Sequence, residues 1–119
     1  MTAFRLIPFH THGALELLVG LVTLVAPFAL GFTAAGTVVA VAVGATLVGL
    51  ALGSTTDERG APAVSIATHH AVDYGLALGL GGAAIVLSVA GDLIAGVTLV
   101  LLALVQLLLN LSTRYTARA

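Results

Sequence analysis

Two histidine–carboxylate pairs carry most of the chemistry available to this chain. His12 stands four residues before Glu16, and His69 stands four before Asp73. On a helix, positions i and i+4 stack on one face, so each pair sets an imidazole beside a carboxylate. If the two helices lie together in the same sense, two imidazoles and two carboxylates meet at one level, with His70 close by. That is a ligand set for Zn²⁺ or a non-haem iron. It is also a set of mutual partners, because an acid inside an apolar helix needs a counter-group and a nearby His supplies one. A His on each of two parallel helices would also suit axial haem ligation. Glu16 and Asp73 would suit a proton-coupled transport path. No nucleophile–base constellation and no Gly-rich phosphate cradle accompanies the pairs, so the chain does not read as an enzyme. No cofactor can be named from the sequence.

The elements that must position these pairs are long and apolar. Gly13–Phe32 is a twenty-residue run interrupted only by Glu16 and Thr23. Such a run crosses a bilayer core of roughly 30 Å at about 1.5 Å per residue. It reads as a spanning helix rather than a cleaved leader, since Pro27 falls inside the faint Ala26-Pro27-Phe28-Ala29 cleavage signal. Over all 119 residues, 60% are hydrophobic and only 8% are charged. A water-soluble domain carries about 25% charged residues, so the lipid bilayer is the partner this composition calls for. The net charge of −1, with four Arg and no Lys, offers no basic surface for nucleic acid. Without cysteine there are neither disulfides nor thiolate metal sites.

Hydropathy predicts four helices in one membrane domain, 1–119, over about 12–30, 37–52, 69–89 (or from 66) and 93–111. Tight turns follow the first and third, and a polar loop, 54–65, joins the halves. The lead ahead of His12 reads as interfacial. On helix one, His12, Glu16, Gly20, Thr23 and Pro27 share a face that should point into a bundle. Pro27 should kink or loosen the last turn. Ala45/Gly49/Gly53 and Ala71/Gly75/Gly79 form small-residue rows, which usually serve as packing seams and, turned outward, would dock a partner. Gln106 and Asn110 read as interhelical hydrogen-bonding groups, Asp92 as the cap of helix four, and Tyr74 and Tyr115 as interfacial anchors.

The halves repeat. His12/Glu16 and His69/Asp73 are offset by 57 residues, each pair opening a helix–turn–helix unit. Both units begin on the same side, so the repeat is parallel, about an axis along the membrane normal. Arg5, Arg59, Arg114 and Arg118 all fall at the start, the middle loop or the end, and neither tight turn carries a basic residue. The positive-inside rule then places both termini and the 54–65 loop in the cytoplasm.

At VAPFALGF, residues 25–32, the chain resembles the SPW-repeat family of small bacterial membrane proteins. Ala26-Pro27-Phe28 stands where that family has Ser-Pro-Trp, Leu30-Gly31-Phe32 matches its Leu-Gly-Phe-like ending, and Glu16 fits its acidic position. The second half keeps only Gly91. The resemblance implies two helical hairpins in a bacterial inner membrane and supplies no activity. Small multidrug-resistance transporters also have four helices and an embedded Glu in the first, but they surround it with aromatics, which total only 5% here. The expected fold is an all-α, four-helix transmembrane bundle of two hairpins. The leading expectation for function is a structural or accessory subunit, self-associating or assembled with other membrane proteins. A metal- or haem-binding protein using His12, Glu16, His69 and Asp73, and a small proton-coupled transporter, are the alternatives.

Overall fold

The computed structural model describes residues 5–54 and 64–116. The TTDERGAP stretch with Arg59, and Arg118 in the tail, lie outside the described residues. Four helices make up most of the rest: α1 (Phe9–Leu30), α2 (Ala34–Gly53), α3 (Ile66–Val89) and α4 (Leu93–Ser112). The starts of α1 and α2 lie three residues ahead of the hydropathy boundaries: α1 takes in Phe9, His10 and Thr11 after its Pro8 cap, and α2 takes in Ala34, Ala35 and Gly36 after its Thr33 cap. Pro8 leads α1, and its carbonyl accepts from His12 N. Thr33 and Ser65 accept from the amides of Gly36 and Thr68, satisfying donors that a helix start leaves unpaired. Helix α1 continues through Pro27 and closes at Gly31, whose φ of 72° sits in the left-handed region that glycine adopts without strain. The amides of Gly31 and Phe32 both return to the Pro27 carbonyl, at 3.1 and 3.0 Å.

Helices α1 and α2 form one antiparallel hairpin and α3 and α4 the other. Secondary contacts of α1 with α4 and of α2 with α3 close the ring, which leaves α1 and α3 diagonal to each other and parallel. The repeat is real but not uniform. Helix α3 starts 57 residues after α1, whereas α4 starts 59 after α2. The two extra residues lengthen α3, so the match fades after Asp73. Leu47, Leu80 and Leu99 fill the centre, with Ala40, Ala84 and Ala95 between them, all fully buried. Only 28–39% of each span is buried inside the bundle. The outward surface is Leu, Val, Ile and Phe, with Phe28 73% and Val89 85% exposed. Helices of this length, hydropathy and outward face make the chain a small multi-pass membrane protein.

The small-residue rows do not pack as the sequence leads one to expect. Gly49, Gly75 and Gly79 face outward, with nothing within 4 Å of where a Cβ would stand. The described atoms nearest a Cβ on Gly53 belong to Val64 of the connecting loop and not to another helix. Gly20 and Gly44 form the α1–α2 seam instead: a Cβ on Gly44 would lie 3.0 Å from the Gly20 carbonyl. Gly96 lets α4 approach Ser88 and the Ala84 carbonyl on α3. Gln106 is fully buried, but its hydrogen bond runs along α4 to Asn110 rather than across to another helix.

Asp92 joins the two hairpin turns. Its Oδ1 caps α4 by accepting from Ala95 N at 3.1 Å. Its Oδ2 accepts from Thr33 N at 2.8 Å and Thr33 Oγ1 at 2.6 Å. The bond from the Thr33 hydroxyl, followed by the Thr33 and Ala95 amides, holds the Asp92 carboxyl below the usual carboxylate range. A depressed folded value means that this stabilisation is present above the unfolded pKa of roughly 3.9 and is lost as pH falls through the lower folded value. Asp92→Asn is therefore expected to lower the thermal midpoint in detergent at neutral pH. It should also flatten the acid limb of the midpoint–pH curve relative to wild type, as followed by circular dichroism.

Candidate metal centre

The diagonal placement of α1 and α3 turns their first two turns toward each other, and the four predicted residues meet. His12, Glu16, His69 and Asp73 are each fully buried. The short contacts cross between the helices: His12 Nε2 to Asp73 Oδ2 is 2.8 Å, and His69 Nε2 to Glu16 Oε2 is 2.6 Å. The contacts within each helix are longer, 3.4 Å for His12–Glu16 and 3.3 Å for His69–Asp73. The result is a closed ring, imidazole and carboxylate alternating, with one ligating atom per residue and all four within 4.8 Å of one another. A tetrahedral ion with bonds of about 2.0–2.1 Å holds its ligand atoms roughly 3.3 Å apart. Two edges of the ring are already at that spacing, and the two short ones need to open by roughly half an ångström or a little more.

The orientation of His12 is fixed from outside the ring. Its Nδ1 lies 2.7 Å from Thr113 Oγ1. The Thr113 hydroxyl gives its own single proton to the Leu109 carbonyl at 2.6 Å. Nδ1 must therefore be the donor, and Nε2 is the nitrogen presented to the carboxylates. An imidazole held through one nitrogen by an outer hydrogen-bond partner, with the other aimed into a cluster of carboxylates, is the arrangement of metal-ligating histidines. Glu16 Oε1, Asp73 Oδ1 and His69 Nδ1 are buried and find no hydrogen-bond partner among the described residues. Buried polar atoms left unpaired are costly.

Sequence reasoning found the quartet but not its surroundings. Tyr115, read as an interfacial anchor, reaches inward: its hydroxyl donates to Asp73 Oδ2 at 2.8 Å and lies 3.1 Å from Asn110 Oδ1. Burial, then the nearby Asp73 charge, pushes the Tyr115 phenol well above its ordinary value, so it stays a proton donor at any physiological pH. Phe9 covers the imidazoles from the other side, its ring centroid 5.9 Å from His12 and 5.0 Å from His69. Lead and tail cross over the mouth through a two-bond bridge, Ile7 N to Ser112 O and Arg114 N to Ile7 O, both 2.9 Å. His70 stays outside the ring, its centroid 4.4 Å from that of Tyr115. No periodicity in the tail announces Thr113 or Tyr115, because they act only once the chain ends are brought together.

Comparison with family models, curated proteins and solved structures returned no match. The functional reading therefore stands on the site's geometry.

Proposed function

We propose that this protein is a membrane-embedded binder of a divalent first-row transition ion such as Zn²⁺ or Fe²⁺, held by His12, Glu16, His69 and Asp73. The observation that carries the reading is the convergence of four ligating atoms within 4.8 Å at zero solvent exposure. Charge supports it as well. Two carboxylates and two neutral imidazoles balance a divalent cation, and a neutral cluster is what a low-dielectric interior tolerates. Hydrogen bonding supplies protons in the two short contacts, so an ion that takes the same four atoms replaces two protons. Haem fits less well. The imidazole centroids are 5.5 Å apart and the carboxylates fill the gap between them, with no room for a macrocycle.

The second reading, a structural clasp without an ion, is favoured by one specific feature: both short bonds cross between hairpins. Membrane placement follows the arginines. Arg5 and Arg114 share one end of the bundle and the opposite turns hold none, which supports cytoplasmic termini.

Calorimetric titration of the detergent-solubilised chain with Zn²⁺ separates the two readings. The metal reading expects one ion per chain, release of two protons, and an apparent affinity that rises by up to about 100-fold per pH unit while both protons are held. A clasp alone expects no saturable heat.

A further inference from the structure

We propose that the recess around Arg5, at the end of the bundle that carries the chain termini, binds the phosphate of an anionic phospholipid headgroup. The inference does not depend on the metal reading. Arg5 and Arg114 line one recess of about 410 Å³ with Leu6 and Tyr115. Arg5 and Tyr115 also line a second of about 500 Å³ with His70 and Ala67. The two share Arg5 and Tyr115 in their walls and so adjoin each other. No acidic residue lines either recess among the described residues. Asp73, to which the lining Tyr115 is bonded, is itself fully buried.

The two cations are held differently. Arg114 is anchored: its Nε donates to the Arg5 carbonyl at 2.9 Å and its Nη2 to the Leu6 carbonyl at 3.4 Å. That fixes one guanidinium over the backbone of the other arginine. The Arg5 side chain has no hydrogen bond or ion pair among the described residues. One immobilised cation and one uncommitted cation thus share a recess, the arrangement that captures a phosphate oxygen without first breaking a salt bridge.

The depth of the recess selects a lipid over a free anion. Phe9, Gly53, Ile66 and Ser112 are the helix ends at this level, so the recess sits where spans give way to headgroups. Leu6 is 73% exposed beside the arginine, and Ala67 is exposed on the facing wall. An acyl chain would lie against this apolar rim while the phosphate meets the guanidinium groups. Basic recesses beside transmembrane helices recognise anionic headgroups in this way.

Native mass spectrometry of the full chain from micelles doped with phosphatidylglycerol or phosphatidylcholine tests this. Wild type is expected to retain phosphatidylglycerol and not phosphatidylcholine. Arg5→Gln should lower retention by about five-fold, and Arg5→Gln with Arg114→Gln by about 30-fold. Arg5→Lys should keep most of it. Circular dichroism checks that the helices persist, and since the Arg5 side chain makes no bond to the described helices, its single variant carries the test if Arg114→Gln loosens the tail. Equal retention of the two lipids, or an unchanged Arg5→Gln, overturns the proposal. Displacement of the lipid by excess inorganic phosphate would assign the recess to a free anion instead and would equally overturn it.

Discussion

The double variant Glu16→Gln, Asp73→Asn is expected to lose stoichiometric divalent-ion binding while keeping its four helices. Both carboxylates disappear from the ring, and amide oxygens are poor replacements as ligands. An ion held by His12 and His69 alone would leave an unbalanced double positive charge in a site with no solvent exposure, a penalty of several kcal/mol. Affinity should therefore fall by more than about 100-fold, beyond the 10–100-fold that losing an outer-sphere partner costs. Thr113→Val, which removes the acceptor that orients His12, is such an outer-sphere loss and belongs within that smaller range. The fold survives the double variant because the new side-chain amides donate as well as accept, so each can still bond the imidazole Nε2 opposite it and both bonds between hairpins remain. Isothermal titration alongside far-ultraviolet circular dichroism reads both halves of the expectation.

Gly44→Val is expected to be the most damaging single substitution in the bundle. Its Cβ would meet Leu24 N at 2.9 Å and the Gly20 carbonyl at 3.0 Å. Both are backbone atoms of α1, so no side chain can swing aside and the whole helix must retreat. Overpacking of this kind costs about 3 kcal/mol or more when the backbone has to move. Moving α1 also draws His12 and Glu16 away from His69 and Asp73, so ion binding should weaken together with stability. Gly75→Val is the control. Nothing lies within 4 Å of that position, and surface changes stay within about 0.5 kcal/mol. Unfolding in mixed micelles measures the difference, and similar costs at the two positions would mean that the α1–α2 seam is misplaced.

The contrast between these glycines shows where the sequence is informative. Span count, the hairpin pairing and the meeting of His12, Glu16, His69 and Asp73 were all legible. Each depends on a local quantity: apolar run length, short turns, or i, i+4 spacing on a helix that must hide its acids. Rotation of α2 about its axis was not legible, and on α3 the small-residue row was not weighed against the His69/Asp73 face opposite it. In a soluble protein the polar face reveals the outside of a helix, but in lipid both faces are apolar. The row Ala71, Gly75, Gly79 looks the same whether it meets a neighbour or an acyl chain. Gly20 lies on the polar stripe of α1 that was expected to face inward, but its partner Gly44 carries no stronger signal than Gly49, and only the packing distinguishes those two. The inner role of Tyr115 was hidden for another reason. It lies more than forty residues from Asp73, and its position depends on the bridge between Ile7 and the tail. Asp92 was read as a cap and is one, but its second oxygen also holds Thr33 of the other hairpin. That cross-link follows only from the two turns sharing one end of the bundle.

The central claim is that the buried ring is a place for an ion. Elemental analysis of the detergent-purified chain, equilibrated with Zn²⁺ or Fe²⁺ and freed of excess, tests it most directly. The account predicts one divalent ion per wild-type chain and none in Glu16→Gln, Asp73→Asn. A wild-type chain that emerges folded and metal-free, or a variant that retains as much metal as wild type, would contradict it.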